Sequence, residues 1–220
     1  MFARVVECGQ DGALVGTETA ARYAEMADGL MIQYRGFLGH LKTLDVGNRY
    51  LEIGPGPGVL TTAVAREKPN AQITGIEMSS DMVSVAREYI ERAGLADRAR
   101  FLIGDAGNEE IFGSLGQFDL IYSTFSLYHW SEPKKVIQNL LSVLADGGVI
   151  YIHDLRRAWW LYWVPSSGGF WKSIRAAYVS RELHEMLRSL GITRYEIRNV
   201  FPFMHSILIW KSGVGERHKT

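Results

Sequence analysis

At 220 residues the chain suits one well-buried domain and is short for two. Its 24 basic and 24 acidic residues cancel to a formal charge of zero, which argues against a strongly basic phosphate-binding surface and disfavours generic nucleic-acid binding while leaving room for a local patch. No apolar run approaches the roughly twenty residues needed to cross a bilayer, so no integral membrane association is expected. The amino terminus, with Glu7 and Asp11 near Cys8, is unlike a signal peptide and points to a cytoplasmic setting. Cys8, the single cysteine, lacks the clustered partners of a zinc site, and no metal is expected.

Residues 1–16 show no sustained period and read as an irregular arm. Thr17 can cap a helix over 17–30, in which Ala20, Ala21, Ala24 and Ala27 supply helix propensity, and 34–44 reads as a second helix. Together 1–48 form an arm and helical cap. From Arg49 the pattern alternates: strand 49–53, helix 58–67, strand 72–76, helix 80–93, strand 99–103, helix 108–114, strand 118–123, helix 132–145 and strand 147–153. Such βα repetition predicts a parallel sheet covered on both faces. Ser80 is placed to cap one helix, Gly94 to stop it, and Asp146-Gly147-Gly148 to end another. Beyond 155 the alternation stops. An aromatic stretch over 156–179 precedes a helix over 180–190 ending at Gly191, and the runs 194–200 and 206–210 are close enough to pair as an antiparallel hairpin. The core is thus 49–212, followed by a polar tail at 213–220.

The most informative stretch is Tyr50-Leu51-Glu52-Ile53-Gly54-Pro55-Gly56-Pro57-Gly58, an apolar strand ending in three alternate glycines. Glycines there let the backbone turn sharply and approach a ligand closely. A pyrophosphate cradle needs a run of backbone N–H donors, and Pro55 and Pro57 each remove one, which argues against NAD, FAD or ATP. Glu77 ends the next strand, where a carboxylate can accept both hydroxyls of a ribose. A ribose without phosphates points to an adenosyl group. These residues resemble the class I S-adenosylmethionine-dependent methyltransferases, and further family-like signatures follow in order over roughly residues 20–155. The resemblance implies an α/β, Rossmann-like, seven-stranded, mostly parallel sheet with an antiparallel final strand. It also implies S-adenosyl-L-methionine as cofactor and S-adenosyl-L-homocysteine as product.

By that resemblance Glu52, Gly54, Gly56 and Gly58 belong to the cofactor motif, with the glycines facing the methionine part, while Glu77 takes the ribose and Met78 packs on the adenine. Asp105 and Ala106, ending the third strand, face the adenine amine and ring; Asp105 can alternatively cap the next helix. Ser123, ending the fourth strand, lies under the cofactor. Tyr23 resembles a tyrosine that folds over the cofactor, with plain helix packing as its other reading. The segment after the fourth strand, Thr124-Phe125-Ser126-Leu127-Tyr128-His129-Trp130, is similar to the small-molecule branch and contains no Asn-Pro-Pro-Tyr or Asp-Pro-Pro-Tyr, so amide or exocyclic amine acceptors are not expected.

Methyl transfer from a sulfonium needs alignment more than covalent help, and proximity contributes ~7–11 kcal/mol. A base is needed only for a protonated acceptor, and His129, His153 and Asp154 are the candidates. Strand alternation points His153 and Asp154 to opposite faces, which leaves the choice open, and His129 is open to a purely structural reading. Trp130 and the aromatic stretch with Trp159, Trp160 and Trp163 are placed to enclose a small apolar or aromatic acceptor. Core packing and contact with a membrane surface are the alternatives for that stretch. The leading expectation is a methyltransferase acting on a small molecule. The others are a lipid or quinone methyltransferase at a membrane surface, a non-catalytic adenosyl-binding module, and a nicotinamide oxidoreductase, which Pro55 and Pro57 oppose.

Overall fold

The computed structural model describes residues 27–158 and 169–211. Its strands are β1 (Arg49–Ile53), β2 (Gln72–Glu77), β3 (Ala99–Ile103), β4 (Phe118–Thr124), β5 (Leu144–Leu155), β6 (Tyr195–Val200) and β7 (Met204–Trp210). They form one sheet in the order β3-β2-β1-β4-β5-β7-β6. β1 through β5 pair in parallel, and β7 runs antiparallel to both β5 and β6. This is the Rossmann-like sheet expected, its order reversing between β1 and β4, where open α/β sheets bind ligands.

Helices α1 (Ala27–Thr43), α2 (Val59–Glu67), α3 (Ser80–Arg92), α4 (Pro133–Ser142), α5 (Gly169–Ala176) and α6 (Ser180–Ser189) cover it. Alternation divides each strand between two cores. Ile53, Ile121, Ile152 and Ile207 meet Ile137 and Leu140 of α4 and Leu183 and Leu187 of α6. On the other face Tyr122, Tyr151 and Leu208 meet Phe37 and Leu41 of α1, Val64 of α2 and Ile90 of α3. Phe37 and Leu41 stand four apart, one turn of helix, and both are fully buried. The Phe37 ring stacks on Tyr151 with centroids 4.7 Å apart and planes 18° from parallel. Burying each such side chain contributes roughly 1.5–3 kcal/mol. A third cluster joins Ile174 and Ala176 of α5 to Tyr128, Leu155 and Met204.

Helix ends follow the expected chemistry closely. Gly94, at φ +69, closes α3 with its N–H on the Glu91 carbonyl and the Leu95 N–H on that of Ile90, a Schellman pair. Gly191 repeats this arrangement after α6 through the carbonyls of Arg188 and Leu187. Other expectations are corrected. One helix, α1, runs without a break through residues 30–34, where two helices were expected. Ser79 rather than Ser80 caps α3, its Oγ accepting the Met82 N–H. The helix expected over 108–114 is a single 3-10 turn, Glu109–Phe112, capped by Asn108.

The helix expected over 132–145 stops at Ser142, and β5 begins at Leu144 instead of 147. Asp146-Gly147-Gly148 forms an irregularity inside that strand, because pairing jumps from Phe118↔Leu144 to Leu120↔Val149. A Cβ on Gly148 would stand 3.0 Å from the carbonyl oxygens of Ala145 and Asp119, so only glycine lets the two chains close there. No helix among the described residues is long and apolar enough to cross a membrane.

Candidate active site

The five residues 54–58 connect β1 to α2 and leave no amide for a phosphate. Pro55 and Pro57 have none. The Gly54 N–H donates to the Ile76 carbonyl at 2.9 Å, and that of Gly58 to the Pro55 carbonyl at 3.1 Å. The Gly56 N–H donates to Glu77 Oε2 at 3.0 Å. The loop therefore satisfies itself, as the argument against a pyrophosphate requires. All three glycines have positive φ, at 71, 54 and 80°. They do different work. A Cβ on Gly54 would stand 2.5 Å from Ser126 Oγ, and one on Gly58 3.1–3.3 Å from Ala86, so these two seat the loop against its neighbours. A Cβ on Gly56 would meet nothing within 4 Å, which makes Gly56 the point of open approach.

Glu77 is brought directly to this loop. Its Oε1 accepts the Ser79 N–H at 3.1 Å while Oε2 holds Gly56, which fixes the carboxylate at the strand end and leaves lone pairs for hydroxyl donors. Beside it Met78 is 62% exposed and Ile103, ending β3, is 55% exposed, two apolar side chains at the lip where a flat ring is expected. Asp105 caps no helix; its Oδ1 accepts the Gly107 N–H at 2.7 Å. Ala106 is buried, and its carbonyl accepts from Asn139 Nδ2 at 2.9 Å.

Glu52 lies beneath the loop. It is buried, and Oε2 accepts from Thr61 Oγ1 at 2.5 Å and from the Tyr122 hydroxyl at 2.9 Å. Burial pushes its pKa up to about 7 against the pull of both hydroxyls, and the Glu77 charge adds to the rise. Glu52 thus ties β1 to α2 and β4. Ser123 is buried as well, donating to the Ile53 carbonyl at 2.9 Å and joining the ends of β1 and β4.

The three candidate bases separate clearly. Asp154 is buried, with Oδ2 accepting the N–H groups of Ser126 at 2.9 Å and Leu127 at 2.7 Å and Oδ1 accepting that of Leu155 at 2.6 Å. Burial pushes its pKa up to about 7 while these three donors pull it down. His153 points to the opposite face, as alternation requires. It too is buried, with Nδ1 2.9 Å from Ser206 Oγ, and burial lowers its pKa to about 4, leaving a neutral ring. Its Cε1 and Nε2 lie against Gly36 of α1, where an added Cβ would stand 3.6–3.7 Å away. His129, ending a 3-10 turn over Leu127–His129, is exposed, its ring centroid 4.1 Å from that of Tyr128. Trp130 packs half-buried on the core. Tyr23, Trp159, Trp160 and Trp163 lie outside the described residues.

Two residues were missed by sequence reasoning. Phe125 has φ +54, rare for a side chain other than glycine and costing roughly 1–2 kcal/mol. It is held by its N–H on the His153 carbonyl, by Asp154 on the two following amides, and by ring contact with Tyr34 at 5.9 Å. His205 is fully buried with no hydrogen bond on either ring nitrogen among the described residues, and burial lowers its pKa to about 3. It stands opposite Asp154 in the β5–β7 register. No pattern in the sequence marks either residue.

A self-satisfied glycine loop, an acidic strand end bound to it and a seven-stranded sheet with one reversed strand coincide with a match of residues 44–189 to the family described as "Methyltransferase domain". The chain belongs to this methyltransferase family. A ubiquinone biosynthesis O-methyltransferase of Actinobacillus pleuropneumoniae is 31% identical over 112 residues, 50% of this chain and 47% of that protein. The chain spans about half the length of such curated O-methyltransferase relatives. The solved plantazolicin methyltransferase BamL, in complex with SAH, shares the fold at a TM-score of 0.65 and 18% identity, over 89% of this chain and 91% of that one. The [4+2]-cyclase SpnF superposes with a TM-score of 0.58 at 30% identity, over 74% of this chain and 58% of that one.

Proposed function

We propose that the chain is an S-adenosylmethionine-dependent methyltransferase that acts on a small apolar or aromatic acceptor by in-line displacement, an oxygen nucleophile being the first choice. The carrying observation is the loop 54–58, whose amides are all satisfied internally beside a fixed Glu77. That arrangement suits a ribose diol and a carboxylate-bearing chain passing over Gly56, and it offers nothing to a diphosphate. The bound cofactor supplies a methyl carbon on a positively charged sulfur, already activated toward attack. The residues around it hold and align. Glu77 accepts the ribose hydroxyls, Gly56 leaves room for close approach, and Met78 and Ile103 flank the adenine. Asp154 fixes the Ser126–Leu127 backbone that carries Tyr128, His129 and Trp130 to the acceptor side. The oxygen acceptor and the quinone class of substrate are suggested by the names of the curated relatives.

The test is calorimetric titration with S-adenosylmethionine, S-adenosylhomocysteine and NADH, followed by measurement of S-adenosylhomocysteine release with phenols, catechols, thiols and amines. Selective binding of the two sulfur nucleosides with turnover on a phenol or catechol is the expected result; failure to bind either one refutes the reading. A second reading is favoured by the 30% identity to a protein named as a cyclase: an adenosyl-binding chain with a reaction other than methyl transfer. Tight nucleoside binding without turnover on any acceptor class would support it.

A further inference from the structure

The amino-terminal ends of β1, β2 and β3, at the opposite end of the strands from the glycine loop, open onto a groove of about 360 Å³. The β3–β4 connection contains only the 3-10 turn Glu109–Phe112, and this part of the sheet is left without a full covering helix. Arg49, Arg98 and Arg100 line the groove, with Thr74, Asp97 and Phe118.

Each of the three guanidinium groups is held in place by neutral acceptors. Arg100 Nε donates to Thr74 Oγ1 at 3.1 Å. Arg98 Nη1 donates to the carbonyls of Ala65 at 2.8 Å and Pro69 at 2.7 Å. Arg49 Nη2 donates to the Leu115 carbonyl at 3.4 Å, with the guanidinium carbon 5.7 Å above the Phe118 ring. Gly116 makes room for it, since a Cβ there would stand 2.8 Å from Nη2. Among the described residues no carboxylate forms an ion pair with any of the three. Asp119, next to the groove, uses Oδ2 on the Arg49 backbone N–H at 2.9 Å.

A guanidinium carries five N–H donors, so each of these three keeps donors that its anchor does not use. Three oriented cations with one carboxylate, Asp97, among the lining residues make a surplus of positive charge in a chain that is neutral overall. Planar guanidinium forks match phosphate oxygens. The volume lies at the small end of ligand sites, which run from ~300 to ~1,000 Å³. We propose that this groove binds a small phosphorylated anion through Arg49, Arg98 and Arg100, at a site separate from the adenosyl site.

The test is calorimetric titration of the full chain with inorganic pyrophosphate, with citrate as the carboxylate comparison. The expected result is saturable one-to-one uptake of pyrophosphate, tighter than citrate, and weakened about ten- to a hundredfold in the double variant Arg49→Gln/Arg100→Gln. S-adenosylhomocysteine affinity in that variant should stay at its original value, which separates loss of the groove from loss of the fold or of the cofactor site. Should the double variant unfold, Arg100→Lys keeps the charge but loses the fork, and pyrophosphate binding should still weaken several-fold. Absence of saturable uptake by the unaltered chain, equal affinity for citrate, or undiminished binding in a folded variant would overturn the proposal.

Discussion

Asp154 stands beside the last residue of β5, where a catalytic base was one of the expectations, and its geometry assigns it to holding a loop; replacing it separates the two roles. Asp154→Ala strands the N–H groups of Leu127 and Leu155 in buried surroundings and that of Ser126 in a partly buried one. A stranded buried donor costs about 1–3 kcal/mol, so the total is about 3–5 kcal/mol, with Ser126 partly relieved by water. For a chain of this size 1 kcal/mol corresponds to about 2–4 °C, giving a fall in melting temperature of about 6–20 °C. Asp154→Asn is the sharper variant. Its amide oxygen can still serve Ser126 and Leu127, but its NH₂ then meets the Leu155 N–H, donor against donor, at a cost of about 1–3 kcal/mol. Differential scanning calorimetry reads the stability, and in Asp154→Ala hydrogen exchange reads the amides of Ser126 and Leu127, which should lose protection. A general base would behave otherwise: Asp154→Asn would leave the melting temperature where it was and lower kcat by about 10²–10⁴. That outcome, or a fall of less than about 2 °C for Asp154→Ala, refutes the positioning role.

Glu77→Ala should weaken S-adenosylhomocysteine binding about a hundredfold by calorimetry, because two hydroxyls lose a charged acceptor; unchanged affinity refutes the ribose assignment. Gly58→Ala and Gly56→Ala both place a side chain at positive φ, but only the former meets Ala86, including its backbone. Gly58→Ala should therefore lower the melting temperature by several degrees, whereas Gly56→Ala should act mainly on cofactor affinity, and the reverse pattern contradicts the division of labour in the loop. Glu52 has a pKa raised to about 7, so the native chain holds its proton between roughly pH 4 and 7 where the unfolded chain releases it. Stability from this group is lost as pH rises through that window. Relative to the unaltered chain, Glu52→Gln should gain stability from pH 5 to pH 8, at up to about 1 kcal/mol per pH unit. Parallel pH profiles of the two chains count against the buried, protonated Glu52. His153, lowered to about 4, works in the opposite sense: its contribution is complete above the unfolded value near 6.5 and is lost as pH falls toward 4. His153→Gln should accordingly flatten the acid side of the stability curve, and an unaltered acid limb in thermal scans contradicts burial of the neutral ring.

The sheet was legible because its determinants are local. Each parallel strand is a short apolar run bounded by glycine or a capping residue, and that pattern placed β1, β2, β3 and β4 to within a residue. β5 was shortened by three residues at its start because Asp146-Gly147-Gly148 reads as a helix stop; the chain uses Gly148 for close contact with the Asp119 carbonyl on the neighbouring strand. The 108–114 helix failed for a related reason. Gly113 and Gly116 follow closely after a capped turn, and Gly116 at φ +74 leaves the helical region. In the site, Gly54, Gly56, Gly58 and Glu77 were readable as types at strand ends, and the structure bonds the Gly56 N–H to Glu77. The fates of Asp154 and His153 were not, because they depend on partners 28 and 53 positions away, the Ser126 amide and the Ser206 hydroxyl.

Those two fates bear on how the site works. The buried titratable groups at the ends of the central strands are committed to structure: Glu52 to two hydroxyls, Asp154 to three amides, His153 to Ser206. Among the described residues these three groups serve positioning contacts, while His129 is exposed. A reaction whose leaving group is already activated suits such a site, since alignment of nucleophile, methyl carbon and sulfur supplies most of what is needed. On the proposed reading, an acceptor that ionises readily, such as a catechol or hydroquinone, asks less of the site than an aliphatic alcohol, whose proton would require a strong base. Where the fold contributes placement, a change in the walls of the acceptor pocket can change the reaction while the loop around Gly56 and Glu77 stays as it is.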